Sequence, residues 1–197
     1  MCYVVGITVS AHHFRPLAIV LACSVLWSCS ALDPNTDSER QGEGGCPPPD
    51  GTNWPSAAQS FECEVLALVN EQRAKGAVCG GTSMGATSPL VMHAELRSAA
   101  RSHARNMADQ GFFDHRDPEG REPADRVSAA GYEWSAVGEN IAAGSPTAAE
   151  TMDQWMNSPG HCANIMDPTY EHLGVGYADA PSSEYGHFWV QNFGRPM

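Results

Sequence analysis

Basic residues are scarce in this chain. Eleven Lys and Arg stand against 23 Asp and Glu, giving a formal charge of −12. So little positive charge offers no basic face to a nucleic acid and little attraction to an acidic membrane surface. Long apolar runs are missing too. The run from Leu17 to Trp27 covers eleven residues, too few for the roughly 20 that span a bilayer core. No H-E-x-x-H pair marks a zinc protease helix, and no internal repeat is visible. With 42% hydrophobic and 17% charged residues, the chain can still bury a core.

The short apolar run is informative where it stands. Arg15 precedes it and small residues follow, the layout of an export signal. Leu26-Trp27-Ser28-Cys29 resembles a bacterial lipobox, in which the cysteine is acylated and becomes the mature N-terminus. Val20-Leu21-Ala22-Cys23 is an earlier match, but only Cys29 has the whole apolar run before it. The expectation is a lipoprotein-type signal peptide over 1–28, then a tether over 29–59, rich in Pro, Gly, Ser and Asp and lacking apolar periodicity. If Cys29 carries lipid, Cys46, Cys63, Cys79 and Cys162 remain, an even set suited to disulfides in an oxidising compartment. Four cysteines allow three pairings.

A folded domain is expected over 60–195. In "SFECEVLALVNEQRAKG" a helix starts at Ser60 as N-cap, carries Phe61, Val65, Leu68, Val69 and Gln72 on one face, and ends at Gly76. A second helix is expected with Ser88 as cap and Pro89 at its first position. Its inward face is Leu96, Ala99, Ala100, His103 and Met107, and Gly111 closes it. A short helix is expected near 123–130. "GYEWSAVGENIAAGSPT" reads as irregular or a short strand. Thr147 and Glu150 form a capping box that starts a helix with Ala148, Met152, Trp155 and Met156 inward. "SPGHCANIM" (158–166) reads as a turn after it. Two strand-like runs follow, and in the second Phe188, Val190 and Asn192 alternate with Trp189, Gln191 and Phe193. Helices early and a strand pair late give an α+β class.

Four segments concentrate the chemistry: "FFDH" (112–115), "GENIAAG" (138–144), "WMNSPGHCANIM" (155–166) and "FWVQNFG" (188–194). In this order they resemble the CAP superfamily of cysteine-rich secretory, antigen-5 and pathogenesis-related-1 proteins (the SCP domain), and most closely its bacterial secreted branch. "LALVNEQRAKG", "LRSAARSHARNMA" and "DRVSAAGY" fit the same family. The resemblance implies an α–β–α sandwich with a small central antiparallel sheet and an open cleft holding two histidines and two glutamates. Residue by residue, His115 and His161 match the histidines and Glu139 one glutamate. Ser158 stands where the second glutamate is expected, three residues after Trp155, so the paired carboxylates are lost.

Two imidazoles and a carboxylate are a legitimate set for a weakly held divalent metal such as zinc; they serve equally as a base with an electrostatic partner, or as plain structural hydrogen-bonders. No cofactor is required by anything in the sequence. His103 lies on an apolar helix face and is expected to be a hydrogen-bonded core residue, while His93, His172 and His187 have no partner that sequence names. Ser158 lacks the G-x-S-x-G elbow of a nucleophile and, preceding Pro159, is expected to end a helix. Asn140 and Asn164 are expected to bond loop backbone. A Cys79–Cys162 bridge would pin the backbone bearing His161 and add up to about 4–5 kcal/mol by loop closure, leaving Cys46 to pair with Cys63. A free Cys162 thiol beside His161 is the alternative.

The functional expectation is an extracellular or envelope-anchored, monomeric, non-catalytic domain that binds a lipid- or sterol-like molecule or an envelope component. The resemblance implies sterol or lipid binding for some relatives. The alternatives are a metal-dependent hydrolase of peptide or envelope polymer acting through His115, Glu139 and His161, and an adhesive surface module.

Overall fold

The computed structural model describes residues 45–47 and 53–197. The expectations for the signal segment 1–28, for Cys29 and for most of the tether lie outside the described residues. The element order is α1 (Ser56–Lys75), β1 (Ala77–Cys79), β2 (Thr82–Met84), β3 (Val91–Met92), α2 (Ala94–Gln110), α3 (Pro123–Ala129), β4 (Trp134–Ala143), α4 (Ala148–Met156), α5 (Pro159–Met166), β5 (His172–Ala180) and β6 (Gly186–Pro196). The main sheet runs β3-β5-β6-β4, and β1 and β2 form a separate hairpin. β4, β5 and β6 pair antiparallel, whereas the short β3 runs parallel to β5. The central sheet is therefore antiparallel with one parallel edge.

Alternation along β6 sorts the two layers. Trp189 and Phe193 pack with Val65, Leu66 and Val69 of α1 and with Met152, Trp155 and Ile165 of α4 and α5. Phe188 and Val190 face the other way, onto Ala100, Ala104 and Met107 of α2. The result is an α–β–α sandwich of mixed α and β class.

Helix α2 lies unusually close to the sheet. A Cβ added at Gly174 would sit 2.0 Å from the backbone carbon of Leu96, and one at Gly176 would sit 2.3 Å from that of Ala100. Leu96 and Ala100 are one helical turn apart, so two bare positions on β5 receive consecutive turns of α2. The small alanines on this face leave room for the contact.

Several elements depart from the sequence expectation for identifiable reasons. Helix α1 begins at Ser56 rather than Ser60, whose hydroxyl donates back to the Ser56 carbonyl inside the helix. Its buried face turns toward Glu62, Leu66 and Arg73, while Phe61, Leu68 and Gln72 are only half-buried. Both charges find partners, which removes the cost of burying them. Glu62 receives Trp54 Nε1 (2.7 Å), Arg97 Nε (2.8 Å) and Arg101 Nη2 (2.8 Å). Arg73 donates to the carbonyls of Ser88, Ile165, Asp167 and Tyr170.

Ser88 and Pro89 do not start a helix. The segment is extended because Asn70 holds Leu90 at both its N–H and its carbonyl, and Val91–Met92 pairs with β5. Helix α2 starts at Ala94, with His93 at its cap. "GYEWSAVGENIAAG" contributes a strand of ten residues, and "SPGHCANIM" is helix α5, with Ser158 at the N-cap and Pro159 in the first turn. Gly76 and Gly111 end α1 and α2, and Thr147 Oγ accepts from Glu150 N–H at the start of α4.

Two disulfides join Cys46 to Cys63 and Cys79 to Cys162. The second ties β1 to the first turn of α5, next to His161. Cys162 is fully buried and bonded, so the thiol-nucleophile alternative has no thiol. No described helix is long and apolar enough to cross a membrane.

The α2–β5 contact makes a stability prediction. Gly176→Ala forces backbone against backbone and is expected to cost about 3 kcal/mol or more, measured as a lower urea midpoint. Ala108→Gly, by contrast, loses one half-buried methyl and helix propensity, and is expected to cost about 1–2 kcal/mol.

Candidate functional site

Strand β4 presents Glu139 to the α2 side of the sheet, where the carboxylate is almost wholly buried. Arg126 of α3 donates through Nη2 to both oxygens, at 3.0 and 2.8 Å. His115, from the α2–α3 loop, donates through Nδ1 to Oε1 at 2.8 Å. With its carboxamide oriented to satisfy both ends, Asn192 of β6 donates to Oε2 at 3.0 Å and accepts from Ala100 N–H at 3.1 Å. His103 Nε2 lies 3.9 Å from Oε1 but donates to the Asp114 carbonyl at 3.0 Å. His103 is thus the hydrogen-bonded core residue the helix pattern suggested, and it fixes the loop carrying His115.

This arrangement sets the electrostatics. The hydrogen bond to Glu139 raises the His115 pKa above its usual value, against an opposing effect of burial. Burial lowers the His103 pKa. His161 projects from the first turn of α5, and its ring has no hydrogen-bond partner among the described residues. Burial lowers its pKa, and the charge of His115 lowers it further. The pKa values of the two histidines are therefore shifted in opposite directions.

The cleft beside β4 is divided into two hollows. One, of about 410 Å³, is lined by His115, Glu139 and Trp134. The other, of about 230 Å³, is lined by Phe113, Ala142, Trp155, Ser158 and His161. The helix-borne side chains also guard the strand. Trp155 Nε1 donates to the Ile141 carbonyl at 3.2 Å, and Asn164 Nδ2 to the Glu139 carbonyl at 3.3 Å. Asn140 Nδ2 donates to the His161 carbonyl at 3.1 Å, and its Oδ1 accepts from Asn164 at 2.9 Å. The asparagines thus join strand to helix instead of bonding loop backbone.

The carboxylate is committed. A general base needs a free lone pair near its proton, and the Glu139 oxygens already hold an arginine, a histidine and an asparagine. Ser158 caps α5 without a side-chain cap bond, and among the described residues no carboxylate orients His161 and no nucleophile–base–orienter chain forms. As metal donors the site offers two imidazoles. His115 has Nε2 left, with Glu139 behind it as an outer-shell partner, and His161 has its free ring. No three His, Cys, Asp or Glu side chains among the described residues converge to hold a metal ion, one protein ligand short of a catalytic zinc site.

The remaining histidines serve elsewhere. His172 Nδ1 and Tyr132 Oη are 2.8 Å apart, as are His187 Nδ1 and Tyr177 Oη. His93 Nδ1 lies 2.8 Å from Glu95 Oε2, without hydrogen-bond alignment. Sequence reasoning missed Arg126 and Asn192. Asn192 was placed on the correct strand face by alternation, but nothing local in "PADRVSA" signals that its arginine is buried.

Comparison with known proteins agrees with the fold. Residues 66–193 match the cysteine-rich secretory protein family, CAP, and the chain belongs to that family. An uncharacterized protein of Bacillus subtilis, YkwD, is 34% identical over 142 residues, covering 72% of this chain and 50% of that protein. A second B. subtilis protein, the uncharacterized membrane protein YlbC, is 25% identical over 62% of this chain and 33% of its own length. The chain spans half or less of these curated relatives. Among solved structures, an extracellular SCP-domain protein of Bacillus anthracis superposes with a TM-score of 0.60 at 25% identity, over 74% of this chain and 45% of that one. An outer surface protein of Borrelia burgdorferi shares the fold, with a TM-score of 0.55 at 16% identity, over 68% of this chain and 94% of that one.

The opposed histidine shifts can be checked directly. An NMR titration is expected to show His115 with its midpoint above about 6.5 and His161 below it. Glu139→Gln should bring the His115 midpoint down. For stability, the His115 contribution is fully present below about pH 6.5 and is lost as pH rises through its raised folded-state value; His161 acts oppositely, costing stability as pH falls below about 6.5. Coincident midpoints would contradict the geometry.

Proposed function

We propose that the chain is an exported, monomeric, envelope-anchored CAP domain that binds a small molecule or envelope component in the β4 cleft without turning it over. The commitment of Glu139 to Arg126, His115 and Asn192 carries this reading. The loss of the second carboxylate at Ser158 supports it, because paired acid–base chemistry has no second group.

The wider setting points the same way. The B. anthracis and B. burgdorferi proteins are described as extracellular and outer-surface, and two disulfides suit an oxidising compartment. In this reading Cys29 carries the lipid and the segment up to α1 acts as its tether. A divalent ion such as zinc binds weakly between His115 Nε2 and His161, and the fold does not require it.

Native mass spectrometry of the protein released in detergent from its own envelope tests these points together. The expected spectrum has a mature N-terminus at Cys29 with added acyl mass and a copurifying small ligand. Zinc should be substoichiometric and removed by chelator. A soluble mature form starting elsewhere would overturn the anchor. Chelator-sensitive hydrolysis abolished by His161→Ala would establish the metal-dependent hydrolase instead, and a domain with neither ligand nor turnover would be adhesive.

A further inference from the structure

Besides His161, the smaller hollow carries Phe113, Gln154 and Ser158, which the His115–Glu139 centre does not use. Phe113 stands at its rim, 40% exposed, in contact with Tyr185, 41% exposed. Their ring centroids are 5.7 Å apart with the planes tilted by 43°. Phe113 comes from the α2–α3 loop and Tyr185 from the β5–β6 turn, 72 residues later in the chain. Tyr185 is steadied by an edge-on contact with Phe188, at 5.8 Å and 80°, and Phe188 is buried. Two distant loops thus hold a pair of partly exposed aromatic rings, with Phe113 lining the hollow and Tyr185 beside it.

The polar side of the hollow has a complementary character. Gln154, Ser158 and His161 line it, and none of their side chains makes a hydrogen bond to the protein among the described residues. Together they supply an amide, a hydroxyl and an imidazole, both donors and acceptors. No carboxylate, lysine or arginine lines the hollow, so it offers a charged ligand no permanent counter-charge. The volume of about 230 Å³ falls below the roughly 300–1,000 Å³ of sites that enclose drug-sized molecules. The hollow does not enclose a whole fused-ring or long-chain lipid, but it is large enough for one six-membered ring.

A ligand matched to this hollow is neutral, one ring in size, apolar on one face and rich in hydroxyls at its edge. We propose that the hollow is a subsite for one neutral pyranose of a glycan, with its C–H face against Phe113 and Tyr185 and its edge groups toward Gln154, Ser158 and His161. The proposal rests on the reading of the cleft as a ligand site and names its ligand class.

The test is an NMR titration of the full mature chain with two soluble probes, a β-1,4-linked trimer of N-acetylglucosamine and maltotriose. Binding of either is expected to shift the Trp155 indole N–H and the His161 ring signals. Preference for the first would show that the ring carries an acetamido group, and preference for the second a plain hexose. Phe113→Ala and Gln154→Ala should each weaken binding by about 3- to 10-fold without lowering the melting temperature, and Phe113→Trp should retain binding. Absence of cleft shifts with either probe up to about 10 mM, in folded protein, would overturn the pyranose subsite. If vesicles containing palmitate then shift the same signals, the ligand-binding reading stands and only the sugar assignment falls. If no probe shifts them and native mass spectrometry finds no ligand, both fall.

Discussion

One buried carboxylate organises the cleft. Glu139 sits in a nearly dry position, where an unpaired charge would cost several kcal/mol. Its partners come from four places: α3 through Arg126, the α2–α3 loop through His115, β6 through Asn192, and more distantly α2 through His103. Satisfying that charge fixes the relative placement of those elements. The carboxylate is thus best understood as a structural anchor that orients an imidazole. Removing Arg126 would leave a buried anion with weaker compensation, a larger disturbance than losing a surface ion pair.

The sequence revealed the parts of this fold that local pattern determines. Alternation in "FWVQNFG" correctly divided β6 between the two layers, and the Thr147–Glu150 box marked the start of α4. The resemblance brought His115 and Glu139 together across a separation that spacing alone could not interpret. Patterns failed where a distant partner decided the outcome. Ser88-Pro89 has the local grammar of a helix start, but Asn70 captures Leu90 first. "GYEWSAVGENIAAG" reads only as irregular or a short strand because glycine and alanine dilute its signal, and nine register partners on β6 extend it to ten residues. Ser-Pro-Gly opens helix α5 because proline suits a first turn as well as it ends a helix.

Charged residues inside the core account for the misjudged face of α1. A hydrophobicity pattern counts Glu62 and Arg73 as outward, yet both are fully buried. Glu62 links α1 to two arginines of α2 across the edge of the sheet, and Arg73 gathers carbonyls from the end of α5 and the segment after it. Burial lowers the Arg73 pKa, the signature of a cation held by dipoles more than by counter-charge. Such contacts define one arrangement of the helices over the sheet more sharply than exchangeable apolar contacts do.

Strand β4 is an edge of the main sheet, and an unshielded edge is a template for other chains. Here an indole and a carboxamide occupy the carbonyls of Ile141 and Glu139 that another strand would seek. The same two helices that wall the cleft therefore also keep neighbouring copies from stacking onto the sheet. Any event that levers α4 and α5 away from β4 would leave those carbonyls unpaired and open to another strand. The Cys79–Cys162 bond anchors α5 at one end and so helps to hold that helix, with Asn164, over the strand edge.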